Sequence, residues 1–280
     1  METGRPFQLP RNCNFHACVC ARTDSLPAKQ SEVGMDRGVL CSLPRDDAKY
    51  PQDGRKMCVI IFVKEVIASL GLKVDDHQIK QRQRNKDVIK MTFEELGYEC
   101  PVIENQVTRK DIVDQLTKYK QELEDSSHFI CWLLTYRAED ENGHRLYASD
   151  RTISLKDITK SFLGNICKPL AGKPKLFFID SVYVECKKDP HLAHRLDKEQ
   201  KQDAYLIPTT ADFLIGLSPF VQSETKYAEV VCDAVKDHVK GSLGDDFTTA
   251  LDVIANKLVR DDVTSTYIST LRKTFSLSPQ

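Results

Sequence analysis

The sequence predicts an α/β fold in which a mainly parallel sheet is covered by helices on both faces. Short apolar runs such as residues 59–63 have the length and continuity of strands that are buried on both sides. Segments with helical spacing of apolar residues alternate with these runs, and such alternation is typical of parallel sheets. A composition of 41% hydrophobic and 29% charged residues over 280 residues fits a globular protein of this class.

The first predicted elements follow a leader, residues 1–50, which is rich in proline, arginine and serine and is expected to be poorly ordered. The run CVIIFV predicts a buried strand. The polar residues after it are expected to connect it to a helix through Ile89 and Phe93, which ends at Gly97. Residues 98–103 predict a short strand.

The middle of the chain repeats this strand and helix order. Thr108 and Asp111 form a capping-box pattern that predicts the start of a second helix. Residues 128–134 predict another buried strand, and a small hairpin and a helix over residues 155–163 come next. Residues 175–179 predict a further buried strand.

A charged stretch over residues 185–204 interrupts this pattern and is interpreted as a solvated linker, because it is too polar to pack. Residues 211–217 then predict a strand, which two amphipathic helices and a final strand over residues 265–277 follow. The predicted organisation is a leader (1–50), a large region (51–184), the linker (185–204) and a small region (205–280).

The charge balance and the apolar runs exclude several function classes. With 40 basic and 41 acidic side chains the net charge is −1, which does not favour nucleic acid as a partner. The longest apolar runs are far shorter than the roughly 20 residues of a membrane helix. The first residues carry no apolar signal segment. We therefore expect a cytoplasmic protein that binds neither nucleic acid nor membrane.

Ten cysteines raise the question of disulfides or a metal site. Most lie far apart, several within apolar runs, so they are expected to be free thiols in a reducing compartment. One cluster contains Cys13, His16, Cys18 and Cys20, but its spacing matches no common zinc motif. Flexible, solvent-exposed thiols are the preferred interpretation, and neither a metal nor another cofactor is expected.

Five segments resemble the caspases, in the order that those peptidases show: MCVIIFV, MTFEELGYEC, SSHFICWLL, AGKPKLFFID and IPTTADFL. The resemblance covers about residues 47–280. In order, spacing and size the chain is most similar to the effector caspases with short leaders. The resemblance implies a six-stranded, mostly parallel sheet flanked by helices, with a cleavable linker between a large and a small subunit.

The resemblance also implies where a catalytic dyad would lie. Caspases attack a carbonyl with a thiolate and use a histidine to manage protons. Their cysteine follows the strand that reads KLFFI here, and their histidine lies about 50 residues upstream, after FICWLL. The matching positions hold Val182 and Tyr136, which are 46 residues apart. Valine has no nucleophile, and tyrosine is a poor proton shuttle at neutral pH, so the sequence predicts an inactive homologue.

The substrate pocket is also predicted to be degenerate. Caspases bind a substrate aspartate through two arginines and a glutamine. Asp180 stands at the glutamine position, where it is expected to repel the substrate carboxylate. Arg82 or Arg84 could match one arginine, and the short loop over residues 215–224 contains none.

The alternative function is a divergent but working cysteine endopeptidase that cleaves after aspartate. Its candidate nucleophiles are Cys131 and Cys186, the cysteines nearest to the predicted dyad. Cys131 is expected to be buried within its strand. Cys186 is expected to begin the polar linker, where nothing would hold it near a base. The substitutions at residues 136 and 182 favour the inactive interpretation over this one.

An inactive homologue retains a scaffold that can pair. Caspase domains pair through their last strands about a two-fold axis, and an open edge strand needs a partner. The expected partner is an active caspase, in a heterodimer, or a second copy of this chain; activation and inhibition both remain open. Strand alternation predicts that Thr266 and Ile268 share one face. The residues matching this interface are Thr266, Tyr267, Ile268, Ser269 and Leu271.

Three aspartates are candidate processing sites. Asp24 in the leader and Asp203 in the linker precede small residues, as in many caspase substrates. Asp197 is a weaker candidate because lysine follows it. Aspartates are also common in polar linkers, so ordinary solvated residues are the competing interpretation.

Overall fold

The computed structural model describes residues 41–42, 48–104, 107–140, 143–186, 211–220, 226–259 and 265–277. The strands are β1 (Cys41–Ser42), β2 (Arg55–Phe62), β3 (Leu72–Lys73), β4 (Val102–Ile103), β5 (Ser126–Asp140), β6 (Gly143–Tyr147), β7 (Thr152–Ile153), β8 (Lys175–Tyr183), β9 (Glu185–Cys186), β10 (Phe213–Leu217) and β11 (Thr266–Ser269). The α-helices are α1 (Asp76–Glu95), α2 (Arg109–Gln121), α3 (Leu155–Thr159), α4 (Tyr227–Val239) and α5 (Phe247–Lys257). Within these residues no helix is long and apolar enough to cross a membrane.

One sheet forms the centre of the molecule, with the strand order β1-β11-β10-β8-β5-β2-β4. The strands from β10 to β4 are parallel to their neighbours, and β11 is antiparallel to β10. The predicted α/β fold with six mostly parallel strands is therefore confirmed for β11 through β4. Two features extend it: β1 lies beyond β11, and the hairpin of β6 and β7 continues from β5.

Helices cover the two faces of this sheet and create two apolar cores. Along β2, Cys58 and Ile60 point towards α1, α4 and α5, whereas Val59 and Ile61 point towards α2 and α3. Side chains alternate between faces in a strand, so a continuous apolar run is what a strand with two covered faces requires. The capping box at Thr108 is present as predicted at the start of α2.

Helix α1 begins earlier than the sequence predicted, because the polar stretch before Ile89 is also helical. Asp75 accepts a hydrogen bond from the backbone of Gln78, and the reciprocal bond completes a capping box. Arg82 and Asn85 then occupy buried positions at helical spacing from Ile89. The inward face of α1 is thus polar in its first half, which an apolar periodicity cannot reveal.

Several element ends also differ from the predictions. Strand β5 runs beyond residue 134 to Asp140 because residues 136–140 pair with β6. Strand β8 continues to Tyr183, whereas β11 is only four residues long. The first two residues of the predicted linker form β9, which pairs with β3. The remainder of the linker falls outside the described residues.

The end of the predicted leader is ordered, which corrects the expectation for that part. Strand β1 pairs with β11, and Tyr50 is 2% exposed. The Tyr50 amide donates to the carbonyl of Thr274 over 3.0 Å, and its hydroxyl donates to Asp212 over 2.7 Å. The packed domain therefore begins before residue 51.

Asp212 joins the leader, β10 and the C-terminal segment. It has a left-handed backbone with φ of 73°, and its carboxylate accepts two hydrogen bonds from Arg272, at 3.0 and 2.9 Å. Its backbone carbonyl accepts from the Lys175 amide over 2.8 Å at the start of β8. The aspartate of the ADFL motif is thus a buried structural tie.

Candidate active site

Tyr136 and Val182 lie directly opposite one another in the ladder between β5 and β8. Asp180 lies two residues earlier on β8, opposite Leu134. Ligand sites in parallel sheets form where the carboxyl ends of neighbouring strands meet. The sequence-predicted dyad positions and one pocket position therefore share this edge of the sheet.

Tyr136 is fully buried, and its hydroxyl is already used. That hydroxyl donates to the backbone carbonyl of Lys64 over 2.7 Å. The Arg82 guanidinium lies over the tyrosine ring, 4.0 Å from its centroid. Burial raises the pKa of Tyr136, although Arg82 opposes this shift. A neutral phenol that donates to a carbonyl cannot accept the proton of a nucleophile at neutral pH.

Val182 is half-buried and brings only methyl groups to the edge. The neighbouring residue, Ser181, is tied to the segment after β10: its amide donates to the Ser218 hydroxyl oxygen over 3.0 Å. The two hydroxyl oxygens are 3.1 Å apart. This end of β8 is therefore held by Ser218, and the side chain facing Tyr136 in the ladder is aliphatic.

Asp180 points into the protein and is 2% exposed. Its carboxylate accepts a hydrogen bond from the Asn85 side-chain amide over 2.9 Å. Burial raises the pKa of Asp180, while Asn85, Arg82 and Arg137 oppose the rise. The carboxylate is thus directed into the protein and bonded to Asn85, which differs from the expectation that it faces a substrate.

The two arginines proposed for the pocket lie in different surroundings. Arg82 is fully buried and donates from Nη1 to the carbonyl of Val63 over 2.8 Å. Its guanidinium also lies 5.3 Å from the centroid of Phe62. Arg84 is exposed on α1. Arg82 could not bind a carboxylate in solvent unless α1 moved away from the sheet.

Arg137 is a site residue that the sequence reasoning missed. It is buried, with its guanidinium 4.8 Å from the centroid of Phe220. It donates to the Pro219 carbonyl over 3.1 Å and to the Ser181 hydroxyl over 3.2 Å. The only available signal was a charged residue next to Tyr136 in a strand longer than predicted. These bonds hold residues 218–220 beside the ends of β5 and β8.

Six cysteines are free thiols: Cys58, Cys100, Cys131, Cys167, Cys186 and Cys232. Cys131 is buried as expected, and burial raises the pKa of its thiol, which disfavours the reactive thiolate. Cys186, which was expected to begin the polar linker, lies in β9 opposite Leu72, and its thiol donates to the Leu70 carbonyl over 3.8 Å. Among the described residues no group of three or more His, Cys, Asp or Glu side chains is arranged to hold a metal ion.

The predicted interface strand shows the expected alternation. Tyr267, Ser269 and Leu271 are buried, whereas Thr266 and Ile268 are half-buried. The outer edge of β11 is occupied by β1 of the same chain. The candidate processing sites Asp24, Asp197 and Asp203, and the cluster of Cys13, His16, Cys18 and Cys20, lie outside the described residues.

The sequence is similar to proteins of a known family. Residues 55–275 match the caspase domain family, Peptidase_C14, and this match spans most of the chain. The chain belongs to the caspase family. Caspase-3 of Xenopus laevis is 32% identical over 172 residues, which are 60% of this caspase-family chain and 56% of the relative. Caspase-3 of Mesocricetus auratus is 30% identical over 209 residues, 70% of this chain and 69% of the relative.

A solved structure gives the same fold. Caspase-1 from Spodoptera frugiperda matches with a TM-score of 0.58 and 20% identity, covering 85% of this caspase-family chain and 96% of the other. Among curated relatives, Caspase-6 of Gallus gallus is 27% identical over 208 residues. This chain spans 56% of the frog protein's length and 65% of the chicken protein's.

Proposed function

We propose that this protein has no peptidase activity of its own and regulates apoptotic or related caspase activity by pairing with an active caspase. The observation that carries the proposal is the ladder pair of Tyr136 and Val182. The family resemblance assigns a histidine and a cysteine to these positions. A phenol and an isopropyl group cannot perform the proton transfer and nucleophilic attack of a cysteine peptidase.

The surroundings of this pair support the same conclusion. Arg82 is buried against the Tyr136 ring and is not free to bind a substrate carboxylate, and Asp180, buried with Asn85, offers no donor in place of the glutamine of the family. Restoring two side chains would therefore not restore a pocket. The absence of activity rests on several coupled features rather than on one replaced residue.

Pairing is supported by the family fold and by the position of β11 near one margin of the sheet. Ile268 is half-buried on this strand, and a partner strand could align beside it in place of β1. An active caspase is the proposed partner, because the same architecture on both sides can form one continuous sheet. Homodimerisation through the same strand is the second outcome that measurement can reveal.

The test is titration of this protein into the active caspases of its own organism, with a fluorogenic peptide that carries aspartate before the scissile bond. A saturable rise in rate identifies an activator, and a saturable fall identifies an inhibitor. An unchanged rate, together with no complex in sedimentation velocity, contradicts the proposal. Ile268→Arg is expected to abolish the effect. Val259→Arg, at a position 51% exposed, is the matched control and is expected to retain it.

A divergent cysteine endopeptidase is the second candidate, favoured by one observation. Cys186 is only partly buried, and β9 holds it in place. A peptide with a terminal aspartate and a cysteine-reactive group tests this alternative. Stoichiometric labelling that disappears in Cys186→Ser would establish a peptidase site, whereas no labelling supports the inactive interpretation.

A further inference from the structure

The end of the leader follows the C-terminal segment at two separate points. At the first point Cys41 pairs with Ile268 and Ser42 with Ser269, in parallel orientation. At the second point Lys49 pairs with Thr274, also in parallel orientation. We call residues 41–42 and 48–50, which make these two contacts, the strap.

The two contacts occur in the same order along the strap and along the C-terminal segment. From Ser42 to Lys49 the strap advances seven residues, while from Ser269 to Thr274 the C-terminal segment advances five. The direction is the same and the register differs by only two residues. Two pairings with the same direction and nearly the same register indicate that the strap follows the C-terminal segment.

The second point is firmly anchored. The Tyr50 amide donates to the Thr274 carbonyl, and the Thr274 amide donates to the Ala48 carbonyl, both over 3.0 Å. The Tyr50 hydroxyl donates to Asp212 over 2.7 Å and accepts from the Arg272 amide over 2.9 Å. The first point has only the two-residue strand β1. The strap therefore has a fixed end, residues 48–50, and a short end, β1. The short end can detach while the fixed end stays bound.

The short end covers the edge of β11 that would otherwise be open for pairing. One edge of β11 pairs with β10, and the other edge pairs with β1. Without β1, the backbone groups of the second edge would face solvent and offer a template for another chain. A strand tethered nearby acts at a high effective concentration, so a free partner must compete with it.

We propose that the strap is an intramolecular occupant of the β11 edge, and that another caspase domain can pair there only after β1 detaches. The pairing part rests on the function proposed above, whereas the occupation of the edge does not. The anchor at Tyr50 remains in place during the exchange. The strap thus raises the protein concentration that is needed for assembly.

Cross-linking tests the occupation directly. In Ile268→Cys, the introduced cysteine would be the register partner of Cys41, and oxidation of the dilute monomer is expected to join tryptic peptides 38–45 and 261–272. The control combines Ile268→Cys with Cys41→Ser, which leaves Cys13, Cys18 and Cys20 available. The absence of the link, or equal linking to those three thiols, overturns the strap.

Hydrogen exchange gives a second test in the full chain. Cys41→Pro combined with Ser42→Pro removes the amides of β1 and is expected to accelerate exchange in residues 266–269 severalfold at a concentration where the protein is monomeric. Ser31→Pro combined with Glu32→Pro is the control elsewhere in the leader. Exchange in β11 that does not differ between the two variants overturns the strap.

Assembly measurements separate the strap from the pairing proposal. In sedimentation velocity, the β1 proline variant is expected to form homodimers, or complexes with an active caspase, at lower concentration than the control. Confirmed occupation without any assembly leaves the strap standing and contradicts the pairing function. Assembly with no difference between the variants contradicts the threshold role of the strap.

Discussion

Tyr136 and Val182 lie beside a network of buried polar side chains. Arg82 lies over the tyrosine ring, Asp180 accepts from Asn85, and two guanidinium nitrogens of Arg82, Nε and Nη2, are buried without a hydrogen-bond partner. Burial of polar atoms without partners is costly, and the contact with the tyrosine ring offsets part of that cost. The side chains at the edge where catalysis would occur are therefore engaged in contacts within the protein.

Val182→Cys combined with Tyr136→His is expected to restore no cleavage after aspartate. The reason is that Arg82 remains buried and that Asp180 still stands at the position of the substrate-binding glutamine. The measurement is cleavage of a fluorogenic peptide, with an active caspase as the positive control. Turnover by the double variant near the rate of that control would show that the pocket is intact.

Replacement of Asp212 is expected to be strongly destabilising. Asp212→Asn keeps a residue that tolerates φ of 73° but loses the charge bound by Arg272, at an expected cost of about 2–3 kcal/mol, since Arg272 is half-exposed. Asp212→Ala is expected to cost about 1 kcal/mol more because alanine also disfavours the left-handed backbone. Urea denaturation measures both.

The control for Asp212 is Lys49→Ala, which removes an exposed ion pair to Asp245. Water and salt screen exposed ion pairs, so only a small change is expected. Equal losses at Asp212 and Lys49 would contradict the structural role of Asp212.

His128 is expected to make the fold sensitive to acid. It is buried between the Tyr98 hydroxyl, at 2.6 Å, and the Ser127 hydroxyl, at 2.8 Å. Burial, and secondarily Lys56, lowers the pKa of His128 to about 3, from an ordinary value of 6.5. Because the folded pKa is the lower one, the unfolded chain binds the proton first. Stability is thus lost as pH falls from about 6.5 towards 3.

Comparison of unfolding free energies at pH 7 and pH 5 tests this prediction. His128 is expected to account for up to about 2 kcal/mol of the decrease. His128→Gln is expected to be less stable at pH 7 but to lose less on acidification. His77→Gln, at an exposed position, should keep the original slope. An unchanged slope in His128→Gln would contradict the assignment.

Strand β10 shows how one element is fitted between a helix and two strands. At Gly216, a Cβ atom would lie 2.6 Å from the Tyr227 hydroxyl, 2.7 Å from the Tyr267 ring and 3.0 Å from Phe178. These groups come from α4, β11 and β8. The element can pair on both sides only because this position carries no side chain.

Gly216→Ala is therefore expected to reduce the free energy of unfolding by about 1–3 kcal/mol through overpacking. Gly164→Ala is the matched control, because a Cβ there meets nothing within 4 Å. Adding Tyr227→Phe to Gly216→Ala removes the nearest atom and should recover part of the loss. Thermal unfolding of all variants checks this, and equal melting temperatures for both glycine variants would contradict it.

The sequence predicted best those elements whose buried positions follow the spacing of apolar residues along the chain. The apolar runs of β2 and β8 and the stripe of α4 mark two covered faces, and the family resemblance supplied the number of strands and their mostly parallel pairing. The start of α1 was missed because Arg82 and Asn85 face inwards to meet partners distant in sequence. Arg137 was missed for the same reason, since Pro219 and Phe220 arrive from another strand.

At the scale of the whole molecule, the small region is built into the sheet of the large region. All five residues of β10 pair with β8, and α4 packs on the same core as α1. The connection through residues 187–210 is thus not what holds the two regions together. Secondary structure on both sides of the linker belongs to one cooperative unit.

Cleavage in the linker is accordingly expected to leave one particle. After treatment with an active caspase, the fragments should elute together in size-exclusion chromatography and separate only in denaturant. Asp203→Ala and Asp197→Ala identify the site by mass spectrometry. Fragments that separate without denaturant would contradict the shared sheet.

The pairing of β9 with β3 has a consequence for such a cut. Since Cys186 is held opposite Leu72, a chain cut after Asp197 would end in a tail of eleven residues that starts at a fixed position. Fully extended, that tail could reach at most about 40 Å. The new carboxyl terminus would therefore sample only surfaces near its own domain and those of a partner bound directly beside it.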